Sequence, residues 1–413
     1  MGLVYMFTRH SCNIRRKGVP MNIFAPSGRM TSVVMPPIAP IMRRISELRS
    51  GGRRVFSMAQ AVPWYSPPDH VLEKLCGMIH ESSVHRYSPD PGFLSTRTAV
   101  SEDFLGRRGI DLDPKSEIHL TCGASQAFLS ALLSVTSAGD RVAVIEPFYF
   151  DHVFAIRFSD LQPVSVPMEE SEGGWAMDMD LLERTLDSVR VLVMVNPGNP
   201  TGTVIPDGQM KLIHRMTRES GTFLIIDETY ERFVFTGDGW HPWQDGRPEN
   251  VLTIGSFSKS LGMPGWRLGY LFGPGRLLRE AIKVQDSVVI CPPSPSQHML
   301  EMALCEEEWI AEKSAGVNER LRACRQALSA SRCLHWRDAG GAFFTLAAYD
   351  GEMNSEEAAM HLLEEYGIGT IPGSSFGPSG EGHLRISFGC LSSEEIGPAM
   401  EALAEVSFSR RSK

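Results

Sequence analysis

Short apolar runs that end in small or polar residues alternate with helix-like segments from about residue 69 onward. Runs such as Val189–Val195 and Thr222–Ile226 have the length of strands, and the amphipathic spacing of Asp207–Glu219 predicts a helix between them. Further strands are predicted over 117–121, 141–145, 251–254 and 267–272, and a further helix over 126–136. Strands that are apolar along their whole length are typical of parallel sheets, because helices cover both faces. The alternation therefore predicts an α/β fold with a mostly parallel sheet flanked by helices.

The last third of the chain has a different pattern, with long helical spacing over 294–331, broken strands near 341–347 and 383–388, and a closing helix over 393–405. With 413 residues the chain also exceeds the roughly 250–300 residues at which a single core stops growing. We therefore predict a second, smaller α+β domain. The stretch 55–68, rich in proline and aromatic residues, is predicted to hold no sheet strand. The predicted boundaries are a disordered leader (1–35), a segment that packs with the small domain and the site (36–66), a large domain (67–293) and a small domain (294–413).

Composition excludes several classes of partner. A net charge of −9 disfavours nucleic acids and anionic membranes, which require a basic surface. No apolar run approaches the roughly 20 residues that span a bilayer. The eight cysteines are scattered without a C-x-x-C pair, which is typical of reduced thiols in a cytosolic enzyme and not of a zinc site. We predict a cytoplasmic protein that binds no nucleic acid, membrane or metal.

The first 46 residues contain no acidic residue but several arginines. Basic leaders of this kind are typical of organelle transit peptides, so import into an organelle stays possible. A disordered extension, or a true start at Met21 or Met30, explains the same composition, and we favour this second interpretation.

Ser256, Ser258 and Lys259 follow a predicted strand, and Arg267 comes shortly after. Most lysines are surface charges, so Lys259 alone indicates little. Hydroxyl groups, an amine and a guanidinium at a strand end, however, can bind a phosphate while the amine stays available to a carbonyl. An amine near other cations or in a dry pocket has a lowered pKa and becomes nucleophilic.

Two other strands also end in polar residues. Asp227 ends an apolar run that Tyr230 follows, and Asn199 lies in the stretch Asn-Pro-Gly-Asn-Pro-Thr-Gly after another run. Carboxyl ends of parallel strands meet at the edge of the sheet where α/β proteins bind ligands. A bracing aspartate and a tight turn are the simpler interpretations. Beside a cofactor lysine, Asp227 could keep a pyridine nitrogen protonated and Asn199 could donate to a phenolate oxygen.

Three more positions could contact a ligand. Ala124 and Ser125 open a helix directly after a strand, where free N–H groups bind phosphate. Tyr149 ends the next strand and could stack on a flat heterocycle. Arg385, in a strand-like apolar stretch, could bind a carboxylate with its planar fork. A plain turn, a core aromatic residue and an internal ion pair remain the alternatives.

In order and spacing these segments resemble the class I/II aminotransferases, the aspartate-aminotransferase-like enzymes of fold type I, over about 56–408. The resemblance implies an enzyme that moves an amino group between an amino acid and a 2-oxo acid, with pyridoxal 5'-phosphate bound to Lys259 as a Schiff base. It implies catalytic roles for Lys259, Asp227 and Tyr230. It implies cofactor contacts for Ala124, Ser125, Tyr149, Asn199, Tyr230, Ser256, Ser258 and Arg267, and substrate contacts for Arg385 and Asn199. Tyr87 matches a tyrosine that reaches the neighbouring subunit's phosphate, which implies a homodimer with shared active sites.

Departures from the family pattern concern the substrate. Ala61 replaces a glycine beside the substrate carboxylate and should narrow the pocket. Asp286 stands where transaminases for acidic substrates often carry an arginine, and it should repel aspartate or glutamate. The closest-looking branch acts on aromatic amino acids and methionine. Trp64 could line an apolar substrate pocket there, although plain packing explains it equally well.

Other functions remain open at this point. A lyase or an oxidase of amino acids can occupy the same scaffold, because the cofactor supplies the chemistry and pocket details direct it. An aspartate-type transaminase is a further alternative. A ligand-sensing domain of a transcription regulator fits poorly, since the short leader is a poor candidate for a DNA-binding module.

Overall fold

The structure is a computed structural model and describes residues 25–36, 38–171, 173–237, 239–337 and 339–408. Its strands are β1 (Phe56–Ser57), β2 (Ile118–Thr121), β3 (Arg141–Glu146), β4 (Gln162–Ser171), β5 (Gly174–Met177), β6 (Val191–Val195), β7 (Phe223–Asp227), β8 (Val251–Ser256), β9 (Gly269–Phe272), β10 (Leu334–His335), β11 (Phe344–Tyr349), β12 (Ile368–Gly369), β13 (Ile371–Pro372) and β14 (His383–Ser387). Its α-helices are α1 (Gly28–Thr31), α2 (Ile38–Ser50), α3 (Asp69–Met78), α4 (Leu94–Arg108), α5 (Ala124–Val135), α6 (Phe150–Phe158), α7 (Met179–Leu186), α8 (Asp207–Glu219), α9 (Phe257–Ser260), α10 (Gly275–Val289), α11 (Ser294–Leu304), α12 (Glu307–Ala330), α13 (Ser355–His361) and α14 (Ile396–Ala404). Short 3₁₀ turns cover Ser82–His85, Pro242–Gln244, Pro264–Trp266, Gly373–Phe376 and Pro378–Gly380, and a π-helical turn covers Leu362–Tyr366.

The larger sheet has eight strands in the order β2-β9-β8-β7-β6-β3-β4-β5. The strands from β8 through β7, β6 and β3 to β4 are parallel, whereas the pairs at both ends of the sheet are antiparallel. The predicted α/β fold is thus confirmed, with the parallel strands in the centre of a mixed sheet. The hairpin of β4 and β5 was absent from the sequence prediction, because β4 is largely exposed and mixes polar with apolar residues.

Both faces of the larger sheet are buried. Val142 and Val144 pack with α5 and α10 on one face, whereas Ala143 packs with α4, α7 and α11 on the other. Side chains alternate between the faces of a strand, so a strand that is buried on both faces has to be apolar throughout. This burial explains the continuous apolar runs in the sequence, and it leaves only the strand ends for polar chemistry.

A smaller antiparallel sheet has the order β10-β11-β14-β13. One core cluster joins it to the N-terminal helix α2, through Ile41 and Ile45. The next segment forms β1, which pairs in parallel with β12 through Phe56↔Ile368 and Ser57↔Gly369. The prediction of no strand over 55–68 is therefore wrong for two residues, because a partner more than 300 positions away supplies the pairing.

Part of the predicted leader falls within the described residues. Residues 25–36 include the one-turn helix α1, and the disorder of the leader stays a prediction. Arg29 Nη2 lies 2.6 Å from Asp160 Oδ2, and Arg157 donates to the carbonyl of Ser32 at 3.4 Å. These two contacts connect the segment to α6 and the residues just after it. Residues 1–24 lie outside the described residues, and the transit-peptide and start-site interpretations stay predictions there. None of the helices in the described part of the chain is long and apolar enough to cross a membrane.

Candidate active site

The carboxyl ends of β7 and β8 and the first turns of α5 and α6 enclose a cavity of about 400 Å³. Most residues that the sequence analysis selected line this one cavity. They are Ala124, Ser125, Tyr149, Asn199, Asp227, Tyr230, Ser256, Ser258, Lys259 and Arg267. Most of these residues end or follow the carboxyl end of a strand at the same edge of the sheet. Arg267 reaches this edge by preceding β9, which is antiparallel to both of its neighbours.

One end of the cavity has the donors that a phosphate requires. Gly123 precedes α5 at φ +80°, and a Cβ there would lie 2.5 Å from Arg267 Nη2, so glycine lets the helix start approach the guanidinium. The first N–H groups of a helix have no partner within it and bind anions. Ser256 and Ser258 lie at the same end, with their hydroxyl oxygens 2.7 Å apart.

Asp227 lies buried at the base of the cavity. Its Oδ1 accepts hydrogen bonds from the Thr229 backbone N–H at 2.9 Å and from the Thr229 hydroxyl at 2.6 Å. Its Oδ2 lies 3.1 Å from Nε2 of His152, which is also buried and packs on the Phe128 ring with the two centroids 4.1 Å apart. These contacts fix the carboxylate in one orientation.

The sequence analysis missed His152 and Thr229. His152 is three residues after Tyr149 on the first turn of α6, and only the order of strands in the sheet brings it to Asp227. Thr229 had a local signal, because an aspartate often accepts from the residue two positions on.

Lys259 is half-buried in the four-residue helix α9, and its Nζ donates to the carbonyl of Ala61 at 2.7 Å. Burial, together with the positive charges of Arg385 and Arg267, lowers the pKa of the Lys259 amine to about 8. Near neutral pH the amine is therefore much closer to its neutral, nucleophilic form than a surface lysine is.

Arg385 reaches the cavity from β14 of the smaller sheet. Its Nη1 donates to Asn199 Oδ1 at 3.1 Å, and its Nη2 donates to the carbonyl of Ala59 at 2.7 Å. Its Nε is buried and has no hydrogen-bond partner among the described residues. A buried donor without a partner is costly unless a ligand satisfies it, and a carboxylate suits the guanidinium fork.

Two tyrosines line the cavity in neutral form. Burial raises the pKa of both Tyr149 and Tyr230, and the negative charge of Asp151 raises that of Tyr149 further. Tyr149 donates its hydroxyl to Asp151 Oδ2 at 2.5 Å, and the ring of Tyr230 lies edge-on to Phe344 with centroids 5.0 Å apart. Each hydroxyl can therefore act as a hydrogen-bond donor.

The remaining predicted residues lie elsewhere. The ring of Trp64 stacks on Arg320 at 3.4 Å from the guanidinium carbon and borders Gly316, which favours plain packing, and its substrate contact stays a prediction. The carbonyl of Ala61 accepts a hydrogen bond from Lys259, whereas its methyl group packs against the core of the smaller sheet. Tyr87 is 78% exposed and lies in a separate surface groove, and Asp286 lies on the exposed side of α10.

The set of donors fits pyridoxal phosphate. The cavity offers an amine of lowered pKa, a fixed buried carboxylate, phosphate donors at one end and an aromatic wall, and the buried Arg385 Nε is free to receive a substrate carboxylate. Nothing in the described part of the chain groups three or more metal-binding side chains at one place.

Comparisons with known proteins agree with this geometry. The model of the family "Aminotransferase class I and II" matches residues 54–403. The aromatic aminotransferase ISS1 of Arabidopsis thaliana is 31% identical over 373 residues, which are 88% of this chain and 92% of that protein. An aspartate aminotransferase of Pyrococcus horikoshii is 29% identical over 366 residues, with 88% and 93% covered. The solved structure of Thermus thermophilus aspartate aminotransferase with maleate superposes with a TM-score of 0.84 at 26% identity and covers 92% of this chain and 99% of that one. The chain therefore belongs to the class I and II aminotransferases and is a pyridoxal-phosphate-dependent enzyme that transaminates amino acids.

Proposed function

We propose that the preferred amino donor is an aromatic or methionine-like amino acid and that a 2-oxo acid accepts the amino group. The composition of the cavity wall carries this proposal. Beyond Tyr149 the wall is apolar and consists of Leu129, Phe154, Ala155 and Phe158, with the Asp151 carboxylate beside it. Among the described residues that line the cavity, the lysine and arginine side chains are Lys259 and Arg267, which the cofactor occupies in this proposal, and Arg385 beside Asn199 is reserved for the α-carboxylate. A distal substrate carboxylate would therefore meet apolar groups and a negative charge.

We assign the central chemistry to Lys259, Asp227 and Tyr230. Bound pyridoxal phosphate supplies an electron sink for the α-carbon of the amino acid. Lys259 holds the cofactor and, once released, moves a proton at its Nζ. Asp227, oriented by His152 and Thr229, keeps a proton on the ring nitrogen through its negative charge.

Other residues bind and orient the two ligands. Ala124, Ser125, Ser256, Ser258 and Arg267 would hold the phosphate. Tyr149 would cover one face of the ring, and Asn199 and Tyr230 would donate to its phenolic oxygen. Arg385 would bind the α-carboxylate of the substrate, because its Nε is buried and needs an acceptor. Asn199 and the Ala61 segment would lie beside that carboxylate, since Asn199 Oδ1 accepts from Arg385 and the carbonyl of Ala61 accepts from Lys259.

We further propose a homodimer with shared active sites. Tyr87 borders a groove with Val289 and Pro292. The side chains of Val288 and Ile290, on either side of Val289 in the sequence, are 54% and 41% exposed. Exposed apolar side chains in one area are typical of an interface. In such a dimer Tyr87 would reach the partner's phosphate, and Asp286 on the same surface would face the partner's substrate.

An aspartate-type transaminase is the second candidate, because relatives of similar identity are named aspartate aminotransferases. An amino-acid lyase or oxidase on this scaffold is a more distant one.

We also propose that 36–66, 67–293 and 294–413 act as an N-terminal segment, a large domain and a small domain. A cytoplasmic location is proposed from the free thiols of the described cysteines.

The test is a half-reaction. Purified holoenzyme is mixed with one amino acid at a time, without oxo acid, and the visible absorbance is followed. A transaminase converts the cofactor once and stops, and phenylalanine, tyrosine or methionine should react faster than aspartate. Faster reaction with aspartate would favour the second candidate, and continuing ammonia release or oxygen uptake would favour a lyase or an oxidase. A Lys259→Ala variant should lose the lysine-dependent visible band, whereas Lys74→Ala, on the exposed side of α3, should keep it.

A further inference from the structure

The segment 57–65, which we call the strap, connects the smaller sheet to the helix that carries Lys259. At its start, Met58 donates to the carbonyl of Gly369 at 2.8 Å and accepts from the N–H of Ser387 at 2.9 Å. At its end, the ring of Tyr65 lies edge-on to Trp309 with centroids 5.4 Å apart. The strap is thus held at one end by the strand region that carries Arg385 and at the other end by the elements around α9.

Backbone carbonyls of the strap bind both functional cations of the site. The carbonyl of Ala59 accepts from Arg385 Nη2, and the carbonyl of Ala61 accepts from Lys259 Nζ, each at 2.7 Å. The two carbonyls are two residues apart, so the strap sets the relative position of the two cations. Proton transfer at a substrate that Arg385 holds depends on this relative position.

Tyr65 contacts Lys259 a second time, through the main chain. Its hydroxyl donates to the carbonyl of Lys259 at 2.8 Å and lies 3.3 Å from that of Ser260. The helix α9 has only four residues, and the last carbonyls of a helix have no partner within it. The carbonyl of Lys259 accepts from the N–H of Gly262 at 3.4 Å, and the Tyr65 hydroxyl adds a second, shorter hydrogen bond to the residue that bears the reactive amine.

The fit around Tyr65 leaves little room for movement. Gly262 stands at φ +62°, and a Cβ there would lie 2.6 Å from the Tyr65 carbonyl and 2.8 Å from its ring. The backbone after α9 therefore packs directly against Tyr65. This close approach makes the tyrosine hydroxyl a fixed point for the Lys259 peptide.

We propose that Tyr65 is a positioning residue for transamination: its hydroxyl anchors the Lys259 peptide to the strap that also holds Arg385. Lys259 is then fixed at both ends, through its amine in the cofactor-free protein and through its carbonyl in every state. Loss of the hydroxyl leaves the carbonyl of Lys259 without this donor, and the amine moves relative to Arg385 and Arg267. The proposal rests on the proposed role of Lys259 as the residue that holds the cofactor.

The test compares Tyr65→Phe with Tyr349→Phe in the holoenzyme. Each variant removes one tyrosine hydroxyl that donates to a backbone carbonyl. Tyr349 ends β11 of the smaller sheet, away from the cavity, and its hydroxyl donates to the carbonyl of Met353 at 2.8 Å. For Tyr65→Phe we expect kcat to fall about tenfold, because small misplacements of a reacting group are costly, with little change in KM. The pH midpoint of the visible absorbance band should shift, because the charged groups Arg385, Arg267 and Asp227 act on the Lys259 nitrogen and their distances to it would change.

The control variant should keep the kcat and the midpoint of the unmodified enzyme, even where its melting temperature falls. If Tyr65→Phe also keeps both values, or if both variants change alike, Tyr65 only packs and the proposal is overturned. If the unmodified holoenzyme has no lysine-dependent band, the proposed role of Lys259 is wrong. This outcome differs from the failure of the Tyr65 proposal, because it says nothing about the contact of Tyr65.

Discussion

His152 Nε2 lies 3.1 Å from Asp227 Oδ2, and both side chains are buried beneath the cavity. The pair links the first turn of α6 to the end of β7, so the position of the histidine depends on the packing of a helix on the sheet. The other oxygen of Asp227 already has two donors from Thr229. His152 therefore decides the orientation of the oxygen that remains.

His152→Phe should weaken cofactor binding and lower kcat, because it leaves one oxygen of a buried carboxylate without its partner. Hydrogen bonds to charged groups contribute about 1.5–3 kcal/mol, so we expect a loss of roughly 10- to 100-fold in cofactor affinity. Equilibrium dialysis of the cofactor measures it. The matched control is His361→Phe, which removes a histidine that contacts the Ser407 carbonyl at 3.0 Å, away from the site. Equal affinities in the two variants would contradict the role of His152.

The lowered pKa of Lys259 predicts how cofactor incorporation depends on pH. Only the neutral amine attacks a carbonyl, and its fraction rises as pH passes the pKa of about 8. The rate of pyridoxal phosphate incorporation into cofactor-free protein should therefore rise with a midpoint near pH 8, well below the ordinary lysine value of 10.5. Stopped-flow absorbance between pH 6 and 11 measures it. A midpoint close to the ordinary value would show that burial and the two arginines do not act on this amine.

Arg385→Lys should lower kcat/KM by about 100-fold, because a lysine ammonium cannot replace a planar fork that binds Asn199, Ala59 and a carboxylate together. The loss should appear mainly in KM and equally for phenylalanine and aspartate, since both carry the α-carboxylate. Binding of 3-phenylpropionate, which has a carboxylate but no amino group, should weaken in parallel. Arg322→Lys on the exposed side of α12 is the control and should change neither value.

Asp151→Asn tests the origin of donor preference. Removing the negative charge beside the substrate wall should raise kcat/KM for aspartate relative to phenylalanine about tenfold, because like charges in a poorly solvated cavity repel by a few kcal/mol. Inhibition by maleate should strengthen as well. The control Asp160→Asn changes the net charge equally just beyond the other end of α6. If both variants shift the preference by the same factor, long-range charge and not the position of Asp151 explains it.

Local signals predicted most of the cavity. Asp227 ends a mainly apolar strand, and Asn199 and Lys259 follow two others. Burial of the sheet on both faces leaves such strand ends as the place for polar residues. Because the strands are parallel, these ends share one edge. The fold and most residues that line the cavity therefore follow from patterns that span a few residues each.

Contacts between distant segments could not be predicted in this way. Trp64 and Tyr65 are adjacent aromatic residues in an irregular stretch, yet the first stacks on Arg320 and the second binds the Lys259 carbonyl. The sequence contains no period or motif that separates these two roles. The carbonyl contacts of Ala59 and Ala61 are equally hidden, because a backbone acceptor is present at every residue.

The pairing of β1 with β12 has a consequence for biosynthesis. Helix α2 and strand β1 complete a core most of whose other members come from the last quarter of the chain, such as Leu384 and Leu403. During translation, the strands of the larger sheet leave the ribosome long before that core can close. We expect the larger sheet of the nascent chain to fold first. The apolar side chains of Ile41 and Ile45 then stay exposed until the C-terminal part of their core is synthesised, and they need protection from aggregation.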